Sequence, residues 1–222
     1  MKLVIFDCDG TLVDSQHVIS SCMAAAWRAC GRPSVPDVAA VRRVVGLPLV
    51  EAIARLCPEG EAADHALLAE AYKDAFLDMP RGEEHGEPLF PGVVRALDDL
   101  AARGFLLGIA TGKGRRGLRA TLSRHGLIER FVTLQTADDA PGKPRPDMAL
   151  QALAETGVAA ADAVVVGDTI FDMIMAREAR VAAIGVGWGY HDKESLEEAG
   201  AVTVLESFEE LVPTLDNRVW RR

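Results

Sequence analysis

The four cysteines, Cys8, Cys22, Cys30 and Cys57, form no CxxC pair and no group with zinc-ligand spacing, so neither a disulfide framework nor a zinc site is expected. Cys22 and Cys30 fall in an apolar helical stretch, where thiols act as small hydrophobes in a reducing compartment. Excess positive charge is also missing: the formal net charge is −9. A chain this acidic lacks the field that gathers nucleic acid or anionic lipid, although a small anionic substrate can still be held by local cations and helix N-termini. No apolar run reaches membrane-spanning length, and the N-terminus opens directly on a strand-like run, too short for a signal peptide. A cytoplasmic protein is expected. Repeats and low-complexity tracts are absent.

What is present is a regular alternation. Apolar runs at Leu3–Phe6, Phe105–Ala110, Phe131–Gln135, Ala163–Val166, Val181–Val186 and Ala201–Leu205 are apolar nearly throughout, as parallel strands covered on both faces must be. Helical patterns at Gly92–Arg103, Gly114–His125, Pro146–Thr156 and Ile170–Ala179 separate most of them. The expected fold class is α/β: a Rossmann-like, doubly wound parallel sheet whose ligands bind at the carboxyl ends of the strands.

One long segment carries only helical signals: Val18–Cys30, Asp37–Val45 with Asp37 as N-cap, Leu49–Leu56 and Ala62–Met79. Arg81–Pro88 reads as a polar loop. The expected organisation is a catalytic core of residues 1–14 and 88–222, with an all-helical cap, 15–87, inserted after the first strand. That insertion leaves from a strand's carboxyl end, so a movable lid over the site is expected.

Four polar segments close the core strands. In Asp7-Cys8-Asp9-Gly10-Thr11, Asp7 and Asp9 share one face of a strand end. Two such carboxylates repel unless a cation or proton lies between them, and oxygen-rich pairs suit Mg2+. Gly10 permits a tight turn and close approach of an anion to the backbone. Thr111-Gly112 ends the second strand and can cradle phosphate at a helix start. Lys143, one of only five lysines, sits on a Gly-Lys-Pro loop and can neutralise developing charge. Asp168 ends the fourth strand and Asp172 lies one helical turn further on.

Taken together, Asp7-x-Asp9-Gly10-Thr11-Leu-Val-Asp14, Thr111-Gly112, Gly142-Lys143-Pro-x-Pro-Asp147 and Gly167-Asp168-x3-Asp172 closely resemble the four signatures of the haloacid dehalogenase superfamily. The resemblance spans nearly the whole chain. It implies Asp7 as nucleophile, Asp9 as general acid and base, and Thr111 and Lys143 as phosphoryl partners with Gly10 and Gly112. By the same resemblance Mg2+ is the cofactor, held by Asp7, the Asp9 carbonyl and Asp168, with Asp172 behind them holding Lys143 or a metal-bound water.

Sister activities fit less well. Asp9 is an acid where dehalogenases have none, and the cap segment Val45-Gly-Leu-Pro-Leu49 lacks both the Lys of phosphonatases and the Arg of β-phosphoglucomutases. That segment, with Gly185–Tyr190, most resembles phosphoglycolate phosphatases. The expected activity is hydrolysis of a small phosphorylated metabolite, 2-phosphoglycolate first, by a monomer or homodimer. A sugar-phosphate mutase, or a phosphatase for pyrophosphate or a nucleoside monophosphate, stays open. Gln16, His17, Arg42 and Arg43 are cap residues without a decisive pattern. Ala179-Arg180 stands where relatives often have Ala-Gly, which implies a helix end without its usual glycine.

Overall fold

The computed structural model describes residues 1–79 and 86–220. Residues 81–85 of the expected polar loop lie outside that range. Six strands form one parallel sheet in the order β3-β2-β1-β4-β5-β6: β1 Leu3–Phe6, β2 Leu106–Thr111, β3 Thr133–Thr136, β4 Ala163–Gly167, β5 Ala182–Val186 and β6 Thr203–Leu205. Each β1 residue is fully buried, because helices cover both faces. Alternation along the strands sorts their side chains into two cores. Val4, Phe6, Ile109 and Val166 face α5 (Val93–Ala102) and α6 (Arg115–Arg124); Leu3, Ile5, Val165 and Ala183 face α7 (Asp147–Thr156) and α8 (Ile170–Glu178). Among the described residues no helix is long and apolar enough to cross a membrane.

Between β1 and β2 lie α1 (Gln16–Ala29), α2 (Val38–Arg42), α3 (Leu49–Leu56) and α4 (Ala62–Asp78). They close on a small core of their own, built from Ile19, Met23, Trp27, Val41, Ile53 and Leu68. Asp37 caps α2 by accepting from the Ala40 N–H at 2.7 Å. The helix expected over Asp37–Val45 stops at Arg42. Beyond it, i→i+3 bonds from Val44 N–H to Val41 and from Leu47 N–H to Val44 tighten the chain, which turns at Gly46 with φ +98. The resulting Gly46-Leu47-Pro48 loop presses onto the main domain. A Cβ on Gly112 would meet the Leu47 carbonyl at 2.8 Å, and one on Gly142 would meet Pro48 at 2.3 Å.

Two strands start two residues later than their apolar runs. Phe131 and Ala201 sit before β3 and β6; Phe131 is spent on the core instead. Helix α8 ends on the only described non-glycine residue with positive φ, Arg180 at +59. The Val181 N–H reaches back to the Ala176 carbonyl at 2.9 Å, closing the helix as a glycine normally would.

Candidate active site

In the order β3-β2-β1-β4-β5-β6 the chain reverses direction beside β1, and a crevice opens at the carboxyl ends of β1 and β4. Asp7 follows β1 and Asp168 follows β4, so neighbouring strands in register deliver the two carboxylates side by side. Candidate ligand atoms of Asp7, Asp168 and Asp172 all lie within 4.8 Å of one another, and the three residues are buried. The one cation among them is Lys143, itself fully buried, with Nζ 2.8 Å from Asp7 Oδ1 and 2.5 Å from Asp172 Oδ1.

Each carboxylate is aimed by its own contacts. Asp7 Oδ1 accepts from the Cys8 N–H at 2.7 Å, while Asp7 Oδ2 is buried without a hydrogen-bond partner. Asp168 accepts from the Thr11 hydroxyl at 2.8 Å and from the Tyr190 N–H at 2.9 Å. Asp172 accepts from the Thr169 N–H at 3.1 Å and its hydroxyl at 2.7 Å, the reciprocal cap that starts α8. Trp188, from the loop Gly185–Tyr190, supports the site structurally. Its ring packs 4.7 Å from Phe208, and its indole N–H donates to the Thr11 carbonyl at 3.1 Å.

Charge bookkeeping identifies what the cluster needs. Burial pushes the Asp7 carboxyl up to about 7, with Lys143 opposing and Asp172 and Asp9 adding to the rise. Asp168 is pushed well above the usual carboxylate range by burial, then by Asp7 and Asp172. Burial alone would lower the Lys143 ammonium, but Asp172 and Asp7 outweigh it and hold it protonated. With all three carboxylates ionised, one lysine leaves two negative charges uncompensated. A hard dication held by the Asp7 and Asp168 carboxylates would match that charge.

Asp9, Thr111, Gly112 and Asp7 line a chamber of about 490 Å3 between the strand ends and the helical insertion. Thr111 Oγ1 accepts from the Lys113 N–H at 3.2 Å, which leaves its proton to donate elsewhere. Gly10 differs from expectation: its N–H donates to the Val13 carbonyl at 2.9 Å and is not available to a phosphate. Its glycine identity is required sterically. With φ +82, a Cβ there would stand 2.2 Å from Asp168 Oδ2.

Sequence reasoning passed over a second cation. Lys113 Nζ lies 3.1 Å from Asp9 Oδ1 and 2.7 Å from Glu87 Oε1, with the Phe76 ring 4.7 Å away. Glu87 is 1 % exposed and accepts from the Thr121 hydroxyl at 2.6 Å. Burial alone would raise its carboxyl; Lys113, Thr121 and Arg124 hold it below the usual range. The scarcity of lysine, used for Lys143, applied equally to Lys113.

With this geometry in place, the comparisons decide the family. The model for "Haloacid dehalogenase-like hydrolase" matches residues 4–186. The chain belongs to the haloacid dehalogenase-like hydrolases. It is 37 % identical to the "Probable phosphatase IndB" of Dickeya dadantii (strain 3937), over 95 % of this chain and 91 % of that protein. It is 31 % identical to the phosphoglycolate phosphatase of Vibrio cholerae, over 90 % of each. The crystal structure of a hydrolase from Pseudomonas syringae superposes with a TM-score of 0.85 at 29 % identity, covering 97 % of this chain and 98 % of that one. The haloacid dehalogenase-like fold thus accounts for the whole described sheet and its helical insertion.

Proposed function

We propose that this haloacid dehalogenase-like protein is a Mg2+-dependent phosphomonoesterase working through an aspartyl-phosphate on Asp7. The observation that carries the reading is the asymmetry of Asp7. One oxygen is fixed by Lys143 and the Cys8 N–H, and the other is buried without a partner beside the chamber.

An Asp7 oxygen attacks phosphorus as the ester P–O bond breaks, and the leaving alkoxide takes a proton from Asp9. Asp9 then removes a proton from water, which attacks phosphorus, releases inorganic phosphate and restores the Asp7 carboxylate. Lys143 offsets the charge that Asp7 brings into the buried site, and Thr111 donates its hydroxyl to a phosphoryl oxygen. Asp7, the Asp9 carbonyl and Asp168 would hold Mg2+, which would supply charge neutralisation at the phosphoryl group. Lys113 fixes the orientation of the Asp9 carboxylate. The helices of residues 15–87 act as a cap that shuts the chamber over the substrate.

A screen of phosphate release with Mg2+ over 2-phosphoglycolate, sugar phosphates, nucleoside monophosphates and pyrophosphate tests the proposal. Relatives named phosphoglycolate phosphatases make 2-phosphoglycolate the reference substrate. Release from at least one ester that Asp7→Asn abolishes supports it. Release that survives Asp7→Asn overturns it, and a rearranged sugar phosphate without free phosphate assigns a mutase instead.

A further inference from the structure

The chamber beyond the phosphoryl site has a chemistry of its own. Its walls on the insertion side are Ile19, Met23, Val45, Leu49, Tyr72 and Phe76, apolar on three helices and one loop. At about 490 Å3 it falls within the roughly 300–1,000 Å3 range of pockets that enclose ring-bearing ligands. A two-carbon acid such as glycolate would leave most of that apolar surface facing water.

The charges of the chamber also disfavour an anionic leaving group. Lys113, the cation nearest the acid Asp9, is already held between two carboxylates. Lys73 pairs with Glu70 at 2.8 Å in an exposed position, and Arg116 stands exposed at the rim. Exposed Asp74 and Asp138 share that rim with Glu70, so three carboxylates stand there against Lys73 and Arg116. The Tyr72 side chain also lines the chamber, close enough to Lys113, Asp9 and Glu87 to feel their charges.

Building on the phosphatase reading, we infer that the enzyme selects phosphomonoesters of apolar, ring-sized alcohols. The ring packs against Leu49 and Phe76. Burial of a ring on such walls favours it over a short chain, and an edge or face contact with Phe76 adds to that preference. A carboxylated leaving group meets no uncommitted buried cation.

The test compares benzyl phosphate, ethyl phosphate and 2-phosphoglycolate, all esters of primary alcohols, by kcat/KM for phosphate release with Mg2+. Benzyl phosphate is expected to exceed each of the others by at least tenfold. In Leu49→Lys, which puts a cation into the apolar wall, the ratio of benzyl phosphate to 2-phosphoglycolate should fall at least tenfold. Phe76→Ala should raise KM for benzyl phosphate more than for ethyl phosphate; thermal melting confirms that both variants fold. A wild-type preference for 2-phosphoglycolate, or variants that slow all three esters by one factor, overturns the inference while the phosphatase reading stands. No release from these esters while a sugar phosphate or nucleoside monophosphate is hydrolysed overturns the inference alone, and no release from any of them, or from 4-nitrophenyl phosphate, overturns both.

Discussion

Lys143 Nζ lies 2.8 Å from Asp7 Oδ1; the Lys143 side chain is wholly buried, and that of Asp7 is 1 % exposed. A fully buried lysine survives in a protein only where carboxylates repay its dehydration. Here they come from two places in the sequence: Asp7 at the end of β1 and Asp172 in the first turn of α8. Lys143 thus ties its own loop to the end of β1 and to the start of α8.

Replacing Lys143 with Met should therefore be costly twice over. It leaves Asp7, Asp168 and Asp172 without their cation, and breaking a buried pair by removing one partner costs about 3–5 kcal/mol. Urea unfolding of the metal-free variant should show a loss of that order. Mg2+ should recover part of it, because the added dication restores positive charge to the cluster. A loss below about 1 kcal/mol would mean that proton uptake by Asp7 and Asp168 makes up for the missing cation.

A pH dependence follows from Asp7. Its folded-state value, about 7, lies above the ordinary 3.8, so the folded state binds the extra proton between them. Stability of the metal-free protein should thus fall as pH rises through that window, relative to Asp7→Asn. Mg2+ needs ionised ligands, so its stabilisation should grow from pH 5 to pH 8. Thermal melts across that range, with and without Mg2+, check both signs. A Mg2+ shift that is largest at pH 5 would contradict the assignment of Asp7 as ligand.

Glu87 lies at the far end of the insertion and its carboxylate is tied to Lys113 and Thr121. Because its folded value is lowered, it contributes stability above the ordinary 4.5 that is lost as pH falls. Glu87→Gln should cost about 1–3 kcal/mol at pH 7 and proportionally less at pH 4. It should also lower kcat more than it raises KM, since Lys113 is then free to pull Asp9 out of line. Unfolding curves at the two pH values and steady-state kinetics measure these effects.

Arg180 pays a conformational cost at the end of α8. A non-glycine residue in the left-handed region is disfavoured by roughly 1 kcal/mol or more. Arg180→Gly should stabilise the protein by about 0.5–1 kcal/mol and leave phosphate release unchanged. Equal or lower stability in urea would show that the Arg180 side chain makes a compensating contact.

Much of this arrangement was legible before the fold. Apolar runs ending in Asp7, Thr111 and Asp168 mark parallel strands, and a parallel sheet gathers such ends at one edge. Ala179-Arg180 flagged an unusual helix end, and the backbone there is indeed left-handed. The pairing of Lys113 with Asp9 and Glu87 was not legible. It joins positions 104 and 26 residues apart, and Glu87 sat in a stretch whose composition reads as loop. Nor could the sequence show that the Gly10 N–H is spent on Val13, since that depends on how the chain folds back after the strand. The chamber wall is hidden for the same reason: each apolar residue looks like core until the helices are placed above Asp7.

The central claim is a covalent one, and it is tested most directly by stopping the reaction at its midpoint. Asp9→Asn keeps the nucleophile and removes the base that activates water. Acid-quenched Asp9→Asn, incubated with Mg2+ and an activated phosphate ester, should carry one phosphoryl group on the peptide containing Asp7, read by mass spectrometry, and Asp7→Asn should carry none. Turnover by the wild type with no phosphoryl adduct in Asp9→Asn, or an adduct on another residue, would contradict the account.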